Sequence, residues 1–117
     1  SSLGIIISDE DGNIVRANPF GARMFGYGND ELVGQKIEVL VPHEIREKHV
    51  GYRHQYNLKP HPRAMGSNLN LMAVKKNGDY FPVEISLTHY QEQGVRRIVS
   101  FVNDITVRKN AENDLIR

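Results

Sequence analysis

Apolar positions follow a different rhythm in each stretch of the 117-residue chain. Residues 3–18, "LGIIISDEDGNIVRAN", give a β-branched apolar run, an Asp–Gly turn in which Gly12 supplies a positive φ, and a short alternating run. This is the pattern of a β-hairpin. Residues 18–42 break into short helical pieces punctuated by Gly26, Gly28, Gly34 and Pro42, with Asn18 before Pro19 and Asn29 before "DEL" placed as caps. A longer helix is predicted over "REKHVGYRHQY", residues 46–56, followed by the loop "NLKPHPRAMGSN". Residues 69–105 then show three strand-like runs separated by "KNGD" and "QEQG", an antiparallel meander. In the closing "TVRKNAENDLIR", Val107, Ala111 and Leu115 recur every four residues behind Thr106 as cap. The class is α+β, with Leu3, Ile5, Ile7, Val15, Phe25, Leu32, Leu71, Val83, Ile85, Leu87, Val99 and Phe101 as the expected core. Phe25→Ala or Leu87→Ala is expected to cost about 2–5 kcal/mol.

One helical stripe has an odd member. Ile45, His49, Tyr52 and Tyr56 are spaced by four, three and four, which stacks them on one face, while Lys48, Arg53, His54 and Gln55 fall on what should be the wet side. A histidine on an otherwise apolar stripe is a core histidine bonded to a loop carbonyl, or a ligand.

Composition narrows the function classes. Fifteen Lys and Arg against fourteen Asp and Glu leave a net charge of +1, which favours neither a nucleic-acid footprint nor direct membrane contact. No cysteine is present, so disulfides, thiolate metal sites and cysteine-linked flavin photochemistry are excluded. The longest apolar run, "GIIIS", is far short of the roughly 20 residues a membrane span needs. A soluble, cytoplasmic domain is expected, either free or as part of a membrane-anchored sensor, and cut from a longer chain. His43, His54, His61 and His89 lack zinc-site pairing. "GYGNDELVG" lacks the phosphate-loop spacings, and no nucleophile, base and oxyanion donors can be assembled. The domain is therefore expected to be regulatory and not an enzyme. Arg96 and Arg97, leading a strand, read as an exposed edge or rim and not as a basic groove.

The motifs "DEDGNIVRAN", "FGYGNDELVGQ", "KKNGDYFPVEISL" and "VNDITVRKNAE" together resemble a PAS sensory domain of the bacterial S-box type, over nearly the whole chain. In pattern it is similar to FixL-type and related sensor-kinase or diguanylate-cyclase PAS domains. The resemblance implies a five-stranded antiparallel sheet of order 2-1-5-4-3, helices packed on one face, and a pocket between sheet and helices. It divides the chain into a sensory domain, residues 1–105, and the start of a signalling helix or linker, residues 106–117. It implies that Asp104, Ile105 and Thr106 launch that helix toward an output domain in the same chain, a histidine kinase or a diguanylate cyclase. A homodimer formed through the domain and its flanking helices, and a small-molecule ligand, belong to the same expectation.

The haem-binding members of the family carry their iron-ligating histidine on the long helix, 17 positions before a loop glycine, and His49 stands 17 positions before Gly66. By that likeness haem b is the cofactor candidate, ahead of flavin. His49 would be the proximal ligand, with Tyr52, Tyr56, Arg63, Met65, Leu69, Ile85 and Leu87 around the group. Arg63 stands where a propionate contact is found, and Ile85 and Leu87 match the distal wall. The chain departs at Leu69, where the oxygen sensors have an arginine, and at Ser67, where a second methionine ligand is found. A haem held here is expected to favour carbon monoxide or nitric oxide over oxygen.

Overall fold

The computed structural model describes residues 2–65 and 70–115. Strands β1 (Gly4–Ser8) and β2 (Ile14–Ala17) form the expected hairpin, with Gly12 at φ +84° in its turn. Helix α1 (Pro19–Met24) follows, and then two 3-10 turns, Ile37–Leu40 and His43–Ile45. Helix α2 is Arg46–Leu58, β3 Arg63–Met65, β4 Met72–Val74, β5 Tyr80–Glu92, β6 Val95–Asp104, and α3 Thr106–Leu115. The sheet runs β2-β1-β6-β5-β3 and every pairing is antiparallel, with β4 also on β5. The expected order thus holds, except that the third strand is in two pieces, β3 and β4, both paired with β5. Part of the presumed loop after α2 is itself strand. Among the described residues no helix is long and apolar enough to cross a membrane.

Turn chemistry accounts for the hairpins. Gln93 and Gly94 both have positive φ between β5 and β6, the two-residue turn whose twist matches the flanking strands. Asn18 caps α1 as expected, accepting from the Gly21 N–H at 2.9 Å, and the same oxygen accepts from the Ile5 N–H at 2.8 Å. One side chain therefore fixes α1 against β1. The approach is close: a Cβ on Gly4 would stand 3.2 Å from Gly21 Cα. Asn29 caps nothing, because residues 29–34 are turns, with the Glu31 carboxylate accepting from the Gly28 N–H at 2.9 Å. Four glycines between residues 21 and 34 make a continuous helix there costly.

The core lies between the sheet and the segment from α1 to Leu40. It is built from Ile6, Ile14, Ala22, Phe25, Tyr27, Leu32, Leu40, Ala73, Phe81, Val83 and Val102, with Phe25 and Phe81 edge-on at 5.3 Å between ring centroids. Of the expected core only Phe25, Leu32, Val83 and Val99 are fully buried. Leu3, Ile5, Ile7, Val15, Leu71, Ile85, Leu87 and Phe101 are half-buried. The phase of β1 is opposite to the expected one: Gly4, Ile6 and Ser8 face inward. "III" carries no alternation that could set it, and the register Ile5↔Phe101 and Ile7↔Val99 puts these four on the other face of the sheet. The ladder of β6 with β1 ends at Ser8↔Ile98, so Arg96 and Arg97 pair with β5 alone, as an edge does, although both are half-buried and not exposed. The Arg96 Nη1 donates to the Asn57 carbonyl at 2.7 Å.

Burial ranks the truncations differently from the sequence. Phe25→Ala should cost about 3–5 kcal/mol and Leu87→Ala only about 1–2 kcal/mol in urea unfolding, since Leu87 keeps part of its side chain in water. Equal costs would contradict this placement of the core.

Candidate functional site

Helix α2 is held by a row of polar side chains. Arg46 Nε donates to the Val41 carbonyl at 3.0 Å, Tyr56 Oη to the His61 carbonyl at 2.7 Å, and Asn57 Nδ2 to the Glu10 carbonyl at 2.9 Å. Between them, His49 Nδ1 lies 2.6 Å from Glu38 Oε2, while Arg53 Nε and Nη2 donate to Oε2 and Oε1 of the same carboxylate at 3.2 Å each. Positions 46, 49, 53, 56 and 57 share one face at helical spacing. The expected stripe is therefore corrected. Tyr56 is buried, but Ile45 is 37% and Tyr52 62% exposed, and His49 is half-buried against an acid. Arg53, assigned to water, has a side chain only 12% exposed. A charged partner outweighs apolar periodicity in orienting this helix.

The local fold delivers Glu38 to that face. The Ile37 N–H donates to the Gly12 carbonyl at 2.8 Å, tying the first 3-10 turn to the β1–β2 turn, and Lys36 Nζ reaches the Asp11 carbonyl at 2.8 Å. Gly12 also makes room for Arg53: a Cβ there would sit 2.5 Å from the guanidinium Nε. Burial pushes the Glu38 carboxyl up, yet hydrogen bonds from Arg53 and then His49 outweigh it and hold the carboxyl below the usual range. An ionised carboxylate only accepts, so the proton of the short contact sits on His49 Nδ1 and Nε2 is the nitrogen left over.

Four of the residues named from the sequence are cross-strand neighbours on the sheet. Arg63 pairs with Leu87 and Met65 with Ile85 in the β3–β5 ladder, so all four side chains project from one face. A shallow depression of about 390 Å³ is lined by Pro62, Arg63, Ala64, Ser86, Leu87, Thr88 and Phe101, and the register sets Ala64, Ser86 and Phe101 on the opposite face of the sheet. His49, Tyr52, Tyr56, Met65 and Ile85 do not line it. Gly66, Ser67 and Leu69 lie outside the described residues.

At the far end of the sheet, Asp104 Oδ1 accepts from the Thr106 N–H at 2.9 Å and from its hydroxyl at 2.5 Å. The capping side chain is thus Asp104, and Thr106 is the first helical residue. Ile105 is buried and its N–H donates to the Pro82 carbonyl at 3.1 Å. Arg108 Nη2 lies 2.8 Å from Glu84 Oε2, fastening α3 to β5. Sequence reasoning missed Glu38, Arg53, Glu84 and Arg108. The signal for Glu38 was an acid inside the apolar run "IEVLV".

Two substitutions test the geometry. Because the Glu38 carboxyl titrates lower in the folded than in the unfolded chain, its contribution is present at neutral pH and fades as pH falls through the folded value. The stability gap between the parent and Glu38→Gln, about 1–3 kcal/mol near pH 7, should therefore shrink below about pH 4. A gap that widens on acidification would contradict the pairing. Gly12→Ala combines a strained φ with displacement of Arg53, and should cost at least about 1 kcal/mol while leaving the Phe25 core intact by NMR.

Comparison with known proteins places this geometry. Over 108 residues the chain is 26% identical to the sensor protein FixL of Bradyrhizobium diazoefficiens, covering 92% of this chain and 21% of that protein. Over 105 residues it is 24% identical to the oxygen sensor protein DosP of Escherichia coli, covering 90% of this chain and 13% of that one. The chain thus spans about a fifth or less of these relatives. The PAS domain of an HTR-like protein from Haloarcula marismortui superposes with a TM-score of 0.74 at 19% identity, over 90% of this chain and 88% of that one. The PAS domain family matches residues 2–107, from before β1 into the first turn of α3, and the chain belongs to that family.

Proposed function

We propose that this sensory domain reads a small ligand or a partner on the side of α2, β3 and β5 and controls an output domain of the same protein through α3. The output would be a histidine kinase or a diguanylate cyclase. What supports this reading is that β5 carries both ends of the path. It pairs with β3 at Arg63–Met65, and its first residues hold α3 through Pro82–Ile105 and Glu84–Arg108. On α3, Val107 is 84% and Leu115 85% exposed, and Ala111 shares their spacing. Apolar side chains exposed at this helical spacing support pairing with a second copy as a homodimer.

The test is made in the full-length protein. Asp104→Ala and Arg108→Ala should uncouple output activity from stimulus while the domain's unfolding free energy changes by less than about 1 kcal/mol, as befits exposed contacts. An unaltered response in both variants would overturn the coupling path. Leu115→Glu should also weaken dimerisation in a sedimentation series, and an unchanged association constant would remove α3 from the interface.

A second reading is a gas or redox sensor holding haem b. The observation that favours it is His49 itself: Nδ1 is engaged by a carboxylate, as ligating histidines usually have it, and Nε2 is the nitrogen left over. A neutral imidazole nitrogen on this helix fits the role of an iron ligand. His49 would ligate the iron and Arg63 would face a propionate, with Tyr56, Met65, Ile85 and Leu87 as apolar surroundings. Tyr52 and Leu69 belong to the same set by the sequence likeness. Haem would supply reversible binding of a diatomic gas or an electron. The name of the DosP relative, an oxygen sensor, supports the same reading. Reconstitution with haem b should give a sharp band at about 400–430 nm that His49→Ala shifts or abolishes. Tighter binding of carbon monoxide than of oxygen is expected. No band in the parent would remove this reading.

A further inference from the structure

We propose that Glu38 is a positioning residue for His49: it decides which ring nitrogen carries the proton, and so commits Nε2 as the nitrogen that can ligate. The part of this inference that concerns a metal rests on the haem reading above. The part that concerns the imidazole stands without it.

A free neutral imidazole can place its proton on either nitrogen, and only the unprotonated one offers a lone pair to a metal. Glu38 removes that choice. Its side chain is 10% exposed, and Arg53 takes both of its oxygens in a two-pronged contact. An acid gripped in this way cannot swing to meet His49 in a second geometry. Oε2 lies 2.6 Å from Nδ1, and an ionised oxygen there accepts a proton and offers none. Arg53 is itself confined by the turn at Gly12, where a single added carbon would collide with it. The order of constraint runs from Gly12 to Arg53 to Glu38 to the His49 tautomer. A carboxylate on Nδ1–H also makes Nε2 more basic, which strengthens its bond to an iron or another borderline metal.

The test uses the whole chain labelled with 15N in histidine, read by long-range proton–nitrogen correlation at a pH well above the usual imidazole range. In the parent, His49 should show Nδ1 as the protonated, pyrrole-type nitrogen and Nε2 as the pyridine-type one. Glu38→Gln keeps an acceptor oxygen and should retain that pattern, whereas Glu38→Ala should move the proton to Nε2. A parent protonated on Nε2, alone or together with Nδ1, would overturn the proposal. So would a tautomer unchanged in Glu38→Ala. The parent spectrum needs no variant, so a Glu38→Ala chain that fails to fold leaves the inference open to refutation. With haem b added, the iron–imidazole stretch in the resonance Raman spectrum should fall in Glu38→Gln relative to the parent, because the neutral amide withdraws less of the Nδ1 proton. An equal stretch in both would remove the effect on basicity. Failure of the parent to take up haem would remove the metal reading and leave the tautomer result standing.

Discussion

A carboxylate with nine-tenths of its side chain out of water must find donors or lose its charge, and Glu38 meets this by drawing two groups of α2 onto itself. Much of the helical side of the molecule is arranged around that requirement. The backbone of Ile37 is tied to Gly12 so that the acid arrives at the right height. Gly12 has no side chain, so Arg53 can lie over the turn, and α2 is rolled until positions 49 and 53 face the acid. Tyr52, outside the arc that runs from His49 to Arg53, is left exposed.

Legibility from sequence differed sharply between the two halves of the molecule. Strands bounded by turn residues were readable, because "DEDG", "KNGD" and "QEQG" dictate backbone conformation through local chemistry that needs no knowledge of the rest of the fold. The cap at Asn18 was readable for the same reason. Faces were harder. In "GIIIS" and "IVSFV" both sides of the strand are apolar, so hydrophobicity carried no phase, and the small residues Gly4 and Gly21 held the information instead, through the close approach of α1 to β1. Helix α2 was misread because its orienting interaction is long-range in sequence: eleven residues separate Glu38 from His49 and fifteen separate it from Arg53.

The candidate site was legible as a set of residues and less so as an arrangement. Arg63, Met65, Ile85 and Leu87 project from one face of β3 and β5. His49 is found on the helix where the family likeness placed it, but its nearest neighbour is an acid that no motif pointed to. The two ends of the molecule use the same device at different depths. Glu38 is a sheltered carboxylate that orients a helix by its face, and Asp104 is an exposed one that orients a helix by its end.

The position of β6 between β1 and β5 limits what kind of movement can reach α3. Its ladder with β5 runs from Glu92↔Val95 to Val83↔Asp104, and it is paired along β1 as well. Sliding β6 by one residue would turn Val102 out of the core and bring Phe101 in, breaking two ladders at once. Longitudinal travel, piston fashion, is thereby forbidden to this strand. What is left to the end of β6 is a change of twist or the release of α3 from Glu84, so the strand's end can turn but cannot slide.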